Sequence, residues 1–487
     1  MSAPGPPGTP DDLGRRFLLG GLQLGAGQWL STALNFVILL GVARLLGPEA
    51  FGLYAYVFAI SAVLDIVGAF SLNIALIQAR EASQSLFDTA AVASLALGLI
   101  GLLAAAGIAP ALWAAHSPVA AWMLIALAGA RVLRLLAQVP QAHLERELRY
   151  GPLTVIGIVT GNVPNLIALA LAWWGIGAWS LVVRDLLMTG LLLAMTGIWS
   201  AYTFRGEMSR AALHSLSRIS RRLFAAVSVG AAAEHVDRVS IGAFLGNTAT
   251  GLYQQARQLG ELGNLATRPV SRVALNAYAR VQDNRGRLSR SHELLNMLLV
   301  RLVFAGAVSL LCFPGPVILL LLGEAWVAAA PLLQIFGVFA AVIPLTENVR
   351  VLFYGTGHVD RNLRVALLQL GWVLPGVGLG CWLGSTQAVA WAVTASAVIA
   401  FLGSWWWSRD LVERQPLQVF AAPVGALLAC VAGFAGLEAA GLLAWAPVTL
   451  LPFLAPLGYA VLLLAAERSR LVALARYLRQ LMTGTPG

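Results

Sequence analysis

Apolar positions run along this chain in long unbroken stretches. They do not alternate with polar ones, as the strands of a closed membrane barrel would. Stretches of about twenty apolar residues carry a helix across a bilayer. Fourteen candidate spans follow, near 17–46, 50–78, 86–110, 118–142, 152–174, 178–202, 223–245, 250–278, 291–314, 326–354, 362–383, 386–408, 418–437 and 446–466. The pattern therefore predicts an all-α polytopic membrane protein.

Polar residues break the pattern informatively in two places. In 203–222, Met208, Ala212, Leu213, Leu216 and Ile219 recur at helical spacing against Arg210, Arg218, Arg221 and Arg222. This stretch reads as an amphipathic helix on the inner leaflet or as a plain basic loop. In 250–278, Gln254, Arg257, Glu261, Asn264, Arg268 and Arg272 follow one another at steps of three or four, one stripe of a helix.

An internal repeat assigns that second stretch to the membrane. Leu46-Gly47-Pro48-Glu49-Ala50-Phe51-Gly52-Leu53-Tyr54 and Leu245-Gly246-Asn247-Thr248-Ala249-Thr250-Gly251-Leu252-Tyr253 both read L-G-x4-G-L-Y, 199 residues apart from Tyr54 to Tyr253. The copies fall between spans one and two and between spans seven and eight. Two six-helix lobes related by an axis along the membrane normal are expected, with two further C-terminal helices. The expected division is a disordered cytoplasmic tail over 1–16, an N-lobe over 17–202, a linker over 203–222, a C-lobe over 223–412, and two last spans with a basic cytoplasmic tail over 413–487.

Composition agrees, with 59% hydrophobic and 11% charged residues, where soluble domains carry about a quarter charged. All 32 basic residues are Arg, and the net charge is +10. With both termini placed in the cytoplasm, 22 of the 32 Arg fall in cytoplasmic segments and none in outer loops, the positive-inside bias of a cytoplasmic-membrane protein. The Arg recur between spans all along the chain, which is no nucleic-acid footprint. No removable signal peptide is expected at the N-terminus. Cys312, Cys381 and Cys430 lie in apolar runs without metal or disulfide spacing.

A charge at the bilayer centre costs about 3 kcal/mol, so a charged stripe there must face protein or water. Arg184–Asp185 reads as a structural pair. For spans seven and eight, structural pairing competes with a water-filled cavity. There an Arg surplus suits an anionic ligand, because guanidinium binds phosphate oxygens bidentately. The candidate substrate-binding residues are Arg257, Arg268, Arg238, Arg272, Arg131 and Gln254. Asp65, Glu234, Asp237 and Glu261 are the candidate ion-coupling carboxylates, able to exchange a proton or sodium ion. No metal site, P-loop or catalytic constellation emerges, so no cofactor is expected beyond an ion gradient.

The L-G-P-E-x-F-G-L-Y turn followed by Ala75-Leu76-Ile77-Gln78 resembles the bacterial polysaccharide and O-antigen repeat-unit flippases. So do Pro140-Gln141-Ala142-His143-Leu144-Glu145-Arg146-Glu147-Leu148-Arg149-Tyr150, Gly175-Ile176-Gly177-Ala178-Trp179-Ser180-Leu181-Val182 and Leu322-Gly323-Glu324-Ala325-Trp326, all within about 15–360. This is the exopolysaccharide and lipopolysaccharide type of the multidrug/oligosaccharidyl-lipid/polysaccharide exporter superfamily. The resemblance implies two lobes around a cationic cavity and alternating access. It implies as cargo an undecaprenyl-diphosphate-linked oligosaccharide, with membrane lipids, a polysaccharide polymerase and a chain-length regulator as candidate partners. The rival readings are a drug/cation antiporter of the same superfamily, opposed by the Arg surplus, and a glycan-assembly polymerase or ligase, opposed by the short outer loops.

Overall fold

A computed structural model describes residues 10–64, 72–79, 83–413, 415–443 and 447–483. Within its helices, the side chains of 10–30, 218–232, 264–270, 272–273 and 468–483, with Ile74, Gln78, Tyr150 and Asn276, lie outside the description. Among the described residues every regular element is helical, as expected where lipid cannot satisfy backbone groups.

The first unit, up to Ser228, holds α1 (Pro10–Leu64), α2 (Leu72–Gln78), α3 (Gln84–Ala115), α4 (Pro118–Arg146), α5 (Tyr150–Trp173), α6 (Trp179–Trp199) and the start of α7 (Arg210–Leu245). The second, from Val229, holds the rest of α7, α8 (Asn247–Gly260), α9 (Leu262–Val281), α10 (Arg285–Cys312), α11 (Pro314–Leu321), a 3-10 turn (Glu324–Ala329), α12 (Ala330–Gly355), α13 (Val359–Trp382), α14 (Thr386–Trp407), α15 (Pro416–Ala439) and α16 (Leu451–Thr483). Ten helical segments among the described residues are long and apolar enough to cross a membrane.

Helix ends follow from local chemistry. Ser83, Ser117, Asn284 and Ser385 cap α3, α4, α10 and α14 by accepting from the backbone N–H three residues on. Gly384, at φ 66°, ends α13 with its N–H bonded to Cys381 O at 3.0 Å.

In the first unit α4 packs against α3 and α6, and α5 against α1 and α6. In the second, α12 packs against α9, α10 and α14, while α15 and α16 cover α10. The α13–α14 contact is close because Gly380 has no side chain, since a Cβ there would lie 2.7 Å from the Val389 backbone nitrogen.

Spans one and two lie within α1 as two helices that part at Gly47, at φ 71° and ψ 173°, where the boundary was expected. Other boundaries differ. The described part of the helix reaches back to Pro10, inside the stretch expected as a tail. The expected linker over 203–222 and span seven are not separate helices. No proline interrupts 210–245, and α7 runs through as one helix.

Candidate functional site

The repeated turn has the same backbone in both copies. Gly246 takes φ 89° and ψ 177°, matching Gly47, a region open essentially to glycine alone. Seven residues on, each repeat tyrosine is buried against an Asp–Arg pair of its own unit. Tyr253 OH donates to Asp237 Oδ2 at 2.5 Å, and Arg257 Nη1 donates to the same oxygen. Asp237 Oδ1 accepts from the Arg238 backbone N–H at 2.7 Å. In the first unit Tyr54 OH donates to Asp185 Oδ2 at 2.7 Å and accepts from Arg184 Nη2 at 2.7 Å. Arg184 also donates to Asp185 Oδ1 at 2.8 Å, so the expected pair is formed. The aspartate comes from α6 in one unit and α7 in the other. Nothing in the repeat itself announces it.

Among the predicted residues, the structure brings together Arg257, Asp237, Arg238 and Glu261. Arg257 stands at the centre, 8% exposed. Besides Asp237, its Nε donates to Glu261 Oε1 at 3.0 Å, and its guanidinium carbon lies 6.0 Å from the Phe339 ring centre. The two cations and two carboxylates balance locally, and Asp237 is fully buried while the Glu261 side chain is 40% exposed. The cluster is thus sealed at Asp237 and open at Glu261. Arg238 donates to the Glu234 carbonyl at 3.2 Å. The Glu234 residue itself is exposed and contributes its backbone oxygen. Gln254 lies beside the cluster on α8, and its Oε1 has no hydrogen-bond partner among the described residues. The same holds for both amide atoms of the buried Gln255. An unsatisfied buried polar group costs about 1–3 kcal/mol, so Gln254, the half-buried one of the two, keeps capacity for a polar ligand.

The other predicted residues lie apart or outside the description. Arg131 belongs to the first unit, 5.1 Å from the Phe58 ring centre, and with Ser61 lines a cavity of about 20 Å³. Asp65 lies outside the described residues, as do the side chains of Arg268, Arg272 and Asn264. The stripe expected on one uninterrupted helix is broken. α8 ends at Gly260, Glu261 sits at φ −82° and ψ −4°, and α9 restarts at Leu262. Gly260 lies so close to α12 that a Cβ would fall 2.9 Å from the Phe336 Cβ. Glycine permits that approach and also weakens the helix at that point.

Two buried polar groupings carry no motif at all. Tyr278 OH donates to Asn348 Oδ1 at 3.1 Å, and Asn348 Nδ2 donates to Asn296 Oδ1 at 2.9 Å. Asn296 Nδ2 lies 2.9 Å from His292 Nε2, and His292 Nδ1 lies 3.2 Å from Tyr278 OH. With the proton on Nδ1, the four side chains form a ring in which each donates once and accepts once. Separately, Arg301 of α10 pairs with Glu467 at the bend of α16, where Glu467 takes φ −133° and ψ 25°. The partners are 166 positions apart in sequence, so no local spacing could have revealed them.

The profile of a family described as polysaccharide biosynthesis protein matches residues 42–331. The chain is 26% identical over 379 residues to the succinoglycan biosynthesis transport protein ExoT of Rhizobium meliloti (strain 1021), covering 76% of each chain. It is 27% identical over 301 residues to the teichuronic acid biosynthesis protein TuaB of Bacillus subtilis (strain 168), covering 56% of this chain and 58% of that one. Among solved structures, the lipid II flippase MurJ in an inward closed conformation superposes with a TM-score of 0.72 at 11% identity, covering 92% of this chain and 99% of that one. An inward-facing multidrug resistance MATE family transporter of the MOP superfamily superposes with a TM-score of 0.60 at 15% identity, covering 77% and 95%. These likenesses establish a transporter fold of the MurJ and MATE kind.

Proposed function

The chain belongs to the polysaccharide biosynthesis protein family, and from that premise we propose that it is a flippase for an undecaprenyl-diphosphate-linked oligosaccharide. It moves the repeat unit across the bacterial cytoplasmic membrane by alternating access, feeding exopolysaccharide or lipopolysaccharide synthesis. The relatives named for succinoglycan and teichuronic acid synthesis, one of them a transport protein, support the saccharide cargo. The MurJ-like fold supports flipping rather than chemistry on the sugar.

The observation that carries the reading is the geometry of Arg257. Its guanidinium bridges a sealed carboxylate, Asp237, and an open one, Glu261. A diphosphate oxygen entering from the open side can replace Glu261 at Nε. That exchange trades one anion for another without stranding the buried cation. Gln254, half-buried three residues before Arg257 on the same helix, offers an unspent amide oxygen for a sugar hydroxyl. Arg268 and Arg272 follow on α9 and extend the positive charge in sequence. A proton or sodium ion taken up by Glu261 or Asp237 would loosen Arg257 and couple the exchange to an ion gradient. A polymerase and a chain-length regulator would receive the flipped unit.

Arg257→Ala and Arg268→Ala are each expected to stop polysaccharide export and to leave lipid-linked units on the inner leaflet, read by leaflet-selective labelling of the glycan. Normal export by both variants would refute the cargo-binding role. Drug efflux sensitive to the same variants, with export unchanged, would favour an antiporter instead.

A further inference from the structure

The first unit carries a feature that the proposed transport does not use. A groove of about 490 Å³ runs between α3 and the start of α7. That volume is typical of a small-molecule site. Val92, Ala93 and Leu97 of α3 face Leu213 of α7 across it, and Ser209 and Arg210 stand at its rim. Apolar surface stays open around it. Val92 is 37% exposed, Leu213 51% and Met208 63%.

One wall is held in place by hydrogen bonds centred on a buried aspartate. Asp88, fully buried, accepts from Tyr202 OH at 2.8 Å and from the backbone N–H groups of Arg205 and Glu207 at 3.0 and 2.9 Å. Thr89 Oγ1 accepts from the Ser209 N–H at 3.2 Å, and Gln84 donates to the Thr203 carbonyl at 2.7 Å. The connection over 200–209 is therefore strapped to the first turns of α3. The groove exists before anything enters it, which lowers the ordering cost of binding.

The rim is cationic. Arg210 lines it, and the sequence over 205–222 holds five Arg against a single acid, Glu207. Arg210 is exposed and is also the first residue of a 36-residue helix, whose N-terminal end carries partial positive charge. A small free anion would leave the apolar walls uncovered, and a hydrocarbon alone would leave the arginine unanswered. An amphiphile satisfies both. Because the chain spans a membrane, such a molecule surrounds it at high concentration. We propose that this groove binds an anionic glycerophospholipid of the bilayer, with an acyl chain along Val92, Ala93, Leu97 and Leu213 and the headgroup phosphate on Arg210 and Ser209. The site rests on the membrane-spanning fold and not on the identity of the cargo.

The test uses the full chain, delipidated in detergent, with phosphatidylglycerol or phosphatidylcholine added back and retained lipid counted by native mass spectrometry. Phosphatidylglycerol should be retained in preference to phosphatidylcholine and should raise the melting temperature. Arg210→Glu should weaken its retention about twenty-five-fold, at roughly fivefold for each unit of charge near an anionic headgroup. Ala93→Trp, which fills the groove without touching the rim, should remove retention of both lipids. The lipid-free melting temperature of each variant checks its folding, and Ala96→Trp replaces Ala93→Trp if the latter does not fold. Equal retention of the two lipids by the wild type would overturn the proposal, as would wild-type retention of phosphatidylglycerol by Arg210→Glu and the groove-filled variant. Displacement of phosphatidylglycerol by equimolar undecaprenyl phosphate, unaffected by Arg210→Glu, would assign the groove to a polyprenyl chain and also overturn it. Because the readout is lipid retention, a failed export experiment leaves this test intact.

Discussion

Asp237→Ala is the perturbation that reports most directly on the candidate site. The carboxylate is fully buried and receives Arg257, Tyr253 OH and the Arg238 backbone N–H. Its removal leaves Arg257, itself 8% exposed, with Glu261 as its one remaining charged partner among the described residues. Breaking a buried pair from one side costs about 3–5 kcal/mol, because the surviving charge stays desolvated. Removing both charges costs less than the sum, since an apolar replacement needs no partner. In a double-mutant cycle with Arg257→Met, a coupling of about 2–3 kcal/mol is therefore expected. For a unit of this size each kcal/mol moves the midpoint by roughly 2–4 °C, so Asp237→Ala should melt about 6–20 °C lower. The assay is thermal unfolding of the purified chain in detergent for the wild type, both single variants and the double. A fall of less than about 2–3 °C for Asp237→Ala, or strict additivity in the double, would show that the pair is solvated and would remove the basis for a sealed and an open side.

Gly246→Ala should destabilise by about 1–3 kcal/mol although open space surrounds it, because φ 89° with ψ 177° excludes a Cβ. Gly371→Ala, in mid-helix and also in open space, should be neutral or slightly stabilising, and equal melting shifts for the two would refute the backbone argument. Arg361 donates to both oxygens of Asp410 at 2.7 Å and holds that carboxyl down at about 2. A carboxyl depressed in the folded state stabilises above its unfolded value, about 4, and that stability is lost as pH falls from about 4 toward 2. The Asp410 side chain is 59% exposed, so the loss should stay below about 1 kcal/mol. Asp410→Asn should flatten the melting temperature across that pH window.

The helices are legible because lipid forces an unbroken apolar run into one conformation. The repeat is legible because its glycine adopts a backbone that other residues refuse, and that requirement leaves the same letters in both copies. The tyrosines are visible in the repeat, but their partners are not. Asp185 and Asp237 reach equivalent chemistry from helices at different places in the order, and tertiary packing alone determines that. The break at Glu261 is hidden for the same reason. Gly260 is there to meet Phe336, 76 positions later, and a glycine inside a helix carries no mark of what it approaches. Span seven and its linker separate only in a reading that lets charge density mark a boundary. Charge sets depth in a membrane but does not by itself end a helix. The pairing of Arg184 with Asp185 can be read from adjacency. The pairing of Arg301 with Glu467 cannot.

The ring of Tyr278, Asn348, Asn296 and His292 can run in two directions over the same four contacts. In the direction described, His292 holds its proton on Nδ1. Reversal turns both amides over, moves the histidine proton to Nε2 and makes Tyr278 the donor to His292. Any half-turned arrangement sets donor against donor within buried surroundings. The four groups must therefore flip together or not at all. Spread over α9, α10 and α12, the ring behaves as a single binary element, with two stored states and no resting place between them.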